Sequence, residues 1–183
     1  GSMERPYQRI QFAIDNASAD ATIRVYDGIY YENVVVNKTL SLIWNGSEAT
    51  IIDGKGNEDV VLLTADNIQI SNITIRNSSK TGSGSGIEIR SDGNTIENCW
   101  QGMFILDADN NTLLGNTALK NMEYGIVIVS TSNNNFLSGN TVYNNTYSGI
   151  IISNSRNNTI EGTVAKDNNL HGIYIQGSDD NTI

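Results

Sequence analysis

Four polar side chains stand where they could act on a substrate: Arg90, Asp107, Asp109 and His171. Asp107 and Asp109 flank one turn, and Asp179 and Asp180 flank the equivalent turn three repeats later. Calcium is the ion that such carboxylates favour, but it needs about six to eight oxygens at one point. Three steps of about 4.8 Å part the two pairs too far to share an ion. No cofactor and no metal site is therefore expected, with calcium at these aspartates the one ion their chemistry would suit. Arg90 lies one coil from Asp107 and could pair with it, but a solvated turn is the better reading of these aspartates. His171 is the single histidine of the chain. Glycoside hydrolysis needs an acid and a base, and the strands equivalent to that of His171 read Gly125-Ile-Val-Ile and Gly149-Ile-Ile-Ile, without a carboxylate. These four residues are weak catalytic candidates, and the balance is against an enzyme.

A second constellation is a surface. Trp100, Phe104, Tyr124, Tyr147, His171 and Tyr174 recur beside one column of glycines. In Gly-Ile-x-Ile the middle residue points out when its neighbours point in, which puts Glu88, Phe104, Val127, Ile151 and Tyr174 on one side. Aromatic rings suit sugar faces, and nearby amides and hydroxyls suit sugar hydroxyls. The expectation is a ridge that binds polysaccharide or an envelope glycan, unless a side loop or another chain covers it.

What positions these residues is a repeat. Gly102, Gly125, Gly149 and Gly172 are 23, 24 and 23 residues apart, and an asparagine stands four residues before each: Asn98, Asn121, Asn145 and Asn168. A third column runs through Thr112-Leu113, Asn135-Phe136, Thr159-Ile160 and Thr182-Ile183. A period near 23 with short, alternating Ile- and Val-rich runs predicts a solenoid of short strands. Stacked coils give parallel sheets, and parallel crossovers are right-handed. The predicted fold is an all-β right-handed parallel β-helix of about seven coils, with asparagine ladders at its corners. One ladder is read as Asn111, Asn134, Asn158 and Asn181, the other as the Asn98 column.

The N-terminal part differs. Ile10, Ala13, Ile14 and Ala17 follow helical spacing, predicting an amphipathic helix over roughly residues 7–17 that plugs the open end of the solenoid. Strands are expected at 22–25, 33–36, 40–43, 50–52, 60–63 and 68–75. Residues 1–3 read as an expression scar, 4–20 as cap helix and lead-in, and 21–183 as β-helix that stops part-way through a coil.

Composition narrows the partners. The chain of 183 residues carries a formal charge of -9 and has one cysteine. Nucleic-acid binding needs clustered Lys and Arg, which an acidic chain lacks. No apolar run approaches the ~20 residues that span a bilayer, so no membrane insertion is expected. Eight Asn-x-Ser/Thr sequons, at Asn16, Asn37, Asn45, Asn72, Asn77, Asn110, Asn144 and Asn157, are compatible with an extracellular, surface or periplasmic location.

The stretch "IQFAIDNASADATIRVYDGIYYENVVVNKTLSLIWNG" resembles the N-terminal cap and first coils of the pectin-lyase-like β-helix superfamily. The later "NNTL" and "GIVIV" coils are similar to those of nitrous-oxide-reductase maturation (NosD-like) proteins and cell-surface β-helix proteins. The resemblance implies the fold, and hosts on that fold range from lyases, hydrolases and esterases to inert surface modules. It also raises copper. Soft ligands for copper would have to come from Cys99, His171, Met103 and Met122, which are scattered over different coils, so copper is not expected. The leading functional expectation is a noncatalytic surface module; the alternatives are a fragment of a polysaccharide lyase or hydrolase and a structural spacer. A homodimer through the ridge or the last coil is expected.

Overall fold

A computed structural model describes residues 1–2, 4–44, 50–79, 84–97 and 102–183. The chain winds as a right-handed parallel β-helix, as its period predicts. Sheet I joins Ala21–Val25, Leu40–Trp44, Gln69–Ser71, Thr95–Glu97, Thr112–Leu114, Phe136–Ser138 and Thr159–Glu161. Sheet II joins Val34–Val36, Val61–Leu63, Ile87–Ile89, Met103–Leu106, Ile126–Val129, Ile150–Ser153 and Ile173–Gln176. Seven stacked strands make about six full turns, one fewer than the seven coils expected. Sheet III is in two parts, Gly28–Tyr30 with Thr50–Asp53 and Thr74–Arg76, then Thr117–Leu119 with Thr141–Tyr143 and Val164–Lys166. The break falls where Thr95 pairs with Thr112, a step of 17 residues. Residues 98–101, where a third strand of that coil would fall, lie outside the described residues.

The inner faces stack like on like. Ile87, Met103, Ile126 and Ile150 align in sheet II, as do Ile89, Ile105, Ile128 and Ile152. All eight are buried. At about 1.5–3 kcal/mol for each large apolar side chain removed from water, this continuous file is the main stabilising term.

Each corner of the regular coils follows one two-residue rule. A residue with positive φ turns the chain, and the next residue points inward and bonds to the coil above. Asn110, Asn134, Asn157 and Asp180 turn, at φ of 54–58°. Asn111, Asn135, Asn158 and Asn181 follow them. The Asn111 N–H donates to Asn135 Oδ1 (2.8 Å), Asn135 N–H to Asn158 Oδ1 (2.9 Å) and Asn158 N–H to Asn181 Oδ1 (2.8 Å). The ladder therefore runs through Asn135 and not through Asn134, whose φ makes it the turn residue. Asn121, Asn145 and Asn168 form the second ladder, at 3.0 Å per step; Asn98 lies outside the described residues. Two further ladders escape sequence reading: Asn116 to Asn140 to Thr163, and Ala108 to Ser132 to Ser155 to Ser178.

The ladders explain the repeated glycines. Gly102, Gly125 and Gly149 have no positive φ, so conformational freedom is not their reason. A Cβ at Gly102 would lie 3.1 Å from Asn121 Cγ, and one at Gly149 would lie 2.6 Å from Asn168 Nδ2 and 2.7 Å from Gly172 O. The glycine makes room for the ladder asparagine of the next coil.

At the N-terminal end the helix spans Ile10–Asn16, shorter at both ends than its periodicity suggests. Seven residues are too few to be helical alone. Glu32 accepts the Ile10 and Gln11 N–H groups, and the Lys38 ammonium donates to the carbonyls of Ile14, Asp15 and Ala17. Both partners suit the helix dipole. Ile10 and Ile14 are buried beneath it. The strand Gly28–Tyr30 occupies what the sequence presents as a turn, and the expected strand at 68–75 is two strands hinged at Asn72, where φ is 60°.

Candidate functional site

Two outward columns run up sheet II. The first is Val35, Leu62, Glu88, Phe104, Val127, Ile151 and Tyr174, set by the strand register. The second follows the strands two residues on, through Leu106, Val129, Ser153 and Gln176, with Arg90 beside Leu106. Glu88 and Arg90 are the only formal charges in these columns, in a chain with 20 acidic and 11 basic residues. They pair with each other through Arg90 Nε and a Glu88 carboxylate oxygen. These two columns are thus largely apolar and carry no net formal charge.

The ridge residues meet in pairs. Tyr124 and Tyr147 have ring centroids 5.3 Å apart, and His171 stacks on Tyr174 at 5.3 Å with 16° between planes. Tyr147 and Tyr174 are 41% and 39% exposed. Phe104 and Tyr124 are half-buried, and Val127 is buried. Trp100 lies outside the described residues.

The weak catalytic candidates separate. Asp107 is a corner turn at φ 49°, one residue before the serine ladder. Asp109 belongs to an outer ladder: its N–H donates to Asp92 Oδ1 (2.7 Å) and its Oδ1 accepts from the Asn133 N–H (2.6 Å). Their spacing serves the corner, and their strand lies three coils from the one that follows His171. Arg90 does not reach for Asp107; it takes Glu88, which lies two residues back on the same outward face.

That pair has a third member which sequence reading missed. Asp59 precedes the Val61–Leu63 strand and sits against Glu88. Burial pushes its carboxyl up, the hydrogen bond with Glu88 pushes it further, and the result is about 7 despite the Ser85 N–H donated to Asp59 Oδ1 at 2.5 Å. Arg90 is raised by its hydrogen bond to Glu88. Glu88 itself is 4% exposed. By contrast Asp53, on sheet III, is lowered: burial raises it, but bonds from Asn77, the Lys55 N–H and Arg76 outweigh burial. Asp53 is a satisfied structural anion, whereas burial and the Glu88 contact push the Asp59 carboxyl up to about 7.

The sign of the Asp59 effect is testable. An unfolded aspartate loses its proton near pH 4, while folded Asp59 keeps it to about 7. Folding binds a proton between these values, so this group makes stability fall as pH rises from about 4 to about 7. Asp59→Asn keeps the acceptor for Ser85 and cannot ionise. The variant should match the wild type near pH 4 and be more stable near pH 8, by about 1 kcal/mol after allowance for solvent screening. Urea unfolding at both pH values reads this directly; a variant weaker than wild type at the higher pH would show that the charge itself is needed.

The fold is that of a pectin-lyase-like right-handed β-helix. A profile of the periplasmic copper-binding protein (NosD) family matches residues 14–183, and the chain belongs to that family. No curated protein matches the chain. Among solved structures it is similar to the A-module of an Azotobacter vinelandii mannuronan C-5 epimerase, at 18% identity and TM-score 0.62, covering 94% of this chain and 64% of that one. It is similar to a pectin methylesterase mutant in complex with a hexasaccharide, at 12% and 0.61, covering 97% and 65%. Pectin methylesterase from Yersinia enterocolitica gives 11% and 0.59, covering 96% and 90%. The chain thus spans less than two thirds of the length of the epimerase module. At these identities the likeness is one of fold.

The described residues do not fit a copper site. Met103 is 2% exposed and faces the core, Met122 is 59% exposed, and His171 lies flat on Tyr174. They stand on different coils, and among the described residues no three His, Cys, Asp or Glu side chains converge. Cys99 lies outside the described residues. No helix among those residues is long and apolar enough to cross a membrane.

Proposed function

We propose that this periplasmic-family β-helix is a surface or envelope module that binds neutral polysaccharide along the outward face of sheet II. One observation carries the reading. In a chain of net charge -9, the two columns hold a single, mutually paired charge couple and otherwise apolar, aromatic and uncharged polar side chains. A polyuronate would meet an acidic protein without a basic groove. A neutral glycan loses nothing to charge and gains ring stacking on Tyr147 and Tyr174. Calorimetry with neutral β-glucan hexasaccharides should show binding that Tyr147→Ala and Tyr174→Ala together weaken about tenfold, with no binding of polygalacturonate. Equal affinity for polygalacturonate, or no effect of the two substitutions, would sink the proposal and leave the spacer reading. If the ridge instead joins two copies of the chain, Tyr174→Asp should dissolve a dimer in sedimentation and Ile183→Asp should not.

A second reading, lyase or hydrolase chemistry, is favoured by Asp59, whose carboxyl is pushed up to about 7 by burial and by its hydrogen bond with Glu88, the partner of Arg90. Release of reducing or unsaturated ends that Asp59→Asn abolishes would favour it over binding alone.

A further inference from the structure

The two seven-stranded sheets end differently at the N-terminal side. Val34 donates its N–H to Val60 O in the next coil, so Val35 turns its N–H and C=O to the open edge of sheet II. There the Gln11 side chain seals it: Val35 N–H donates to Gln11 Oε1 (2.8 Å), and Gln11 Nε2 donates to Val35 O (3.2 Å). One amide takes the place of a missing strand.

Sheet I has the same edge without the seal. In that sheet the first strand residue of a coil donates to the coil before it: Thr95 N–H to Ile68 O, Thr112 N–H to Asn94 O, Thr159 N–H to Asn135 O. The register aligns Thr22 with Ser41, Gln69 and Thr95. Thr22 therefore turns its N–H and C=O toward the side where a preceding coil would lie, and Arg24, two residues on, does the same. Ala21–Val25 is the end strand of the sheet. Among the described residues no side chain bonds to these four groups. They open onto a cleft of about 470 Å³ between the strand and the cap helix. Its floor includes Ile10, Ala13 and Ile23, and its tyrosines include Tyr7 and Tyr26. Among the described lining residues are two arginines, Arg9 and Arg24, and no carboxylate, although the chain as a whole is strongly acidic. Arg9 already lies 3.7 Å from a Glu32 carboxylate oxygen, whereas Arg24 has no ion pair among the described residues.

We propose that this edge docks an extended, acidic peptide segment of a partner protein, which adds one strand to sheet I. Unpaired strand edges recruit strands, main-chain bonds supply affinity in such additions, and pockets for alternate side chains supply selectivity. Here Thr22 and Arg24 offer the main-chain bonds. The apolar floor takes one face of the peptide, and Arg24 selects carboxylates on the other. The site is separate from the outward face of sheet II and does not depend on it.

Fluorescence anisotropy with labelled acetyl-Glu-Val-Glu-Val-Glu-Val-amide tests this on the intact chain. Saturable binding is expected, with the corresponding Lys-Val peptide about tenfold weaker. Thr22→Pro removes a donor on the open side only, a position where a strand tolerates proline, and should weaken binding about tenfold. Arg24→Glu leaves the backbone intact and should do the same. Hydrogen exchange at the Thr22 and Arg24 amides should slow when the acidic peptide is added. Absence of saturable binding, wild-type affinity in both variants, slowing confined to other amides, or a dimer formed through two Ala21–Val25 edges would each overturn the proposal.

Discussion

Gly125→Ala should cost the fold about 3 kcal/mol, at the upper end for overpacking. The added methyl would run into Val142 Cγ1, which cannot yield within a packed coil. It would also stand 2.7 Å from Gly149 O and 2.9 Å from Asn145 Nδ2, so relief would shift the next coil or its ladder. Gly139→Ala is the contrast. Nothing lies within 4 Å of a Cβ there, but φ is +63°. It should cost only about 1 kcal/mol, from backbone strain alone. Urea unfolding of the two variants side by side measures the difference. Equal losses would mean that the two glycines serve one purpose.

Asn135→Ala should cost about 3 kcal/mol. Asn135 is 1% exposed, its Oδ1 accepts the Asn111 N–H, and its Nδ2 donates to Asn158 Oδ1 (3.0 Å) and Ala108 O (3.2 Å). Truncation leaves a buried N–H and a buried carbonyl without partners, at about 1–3 kcal/mol each before relaxation. Asn134→Gly, one residue away, should change stability by less than about 0.5 kcal/mol, since glycine adopts positive φ freely. If the neighbours prove equally sensitive, the division of labour within the Asn-Asn doublet is wrong.

That doublet shows where reading a sequence stops. The glycine and asparagine columns were legible because several offsets kept one period, and the parallel β-helix follows from them. Which asparagine of a pair faces inward was not legible. The letters are the same, and steps of both 24 and 23 residues occur, so only backbone φ separates Asn134 from Asn135. The reason for the glycines was hidden too, because the atom each one avoids belongs to the next coil. Asp59 was missed because it lies among the irregular early coils, with steps of 28 and 26 residues. No repeat register there brings it beside Glu88. The one available signal was its place just before a strand whose middle residue, Leu62, aligns with Glu88. Trp100 and Cys99 fall outside the described residues.

The extra residue of the 24-residue coil is visible at one corner. Leu106 and Ala108 are separated by Asp107 alone, whereas Val129 and Ser132 are separated by Ser130 and Thr131, both at positive φ. Ser132 nonetheless receives the Ala108 N–H and donates its own N–H to Ser155. The bonds that hold the coil to its neighbours are thus indifferent to the length of chain between them. Such a corner is a splice point. A lineage can lengthen it, hang a new surface from it or replace it, while the scaffold beneath keeps its shape. In this way one solenoid can be refitted for different partners without being rebuilt.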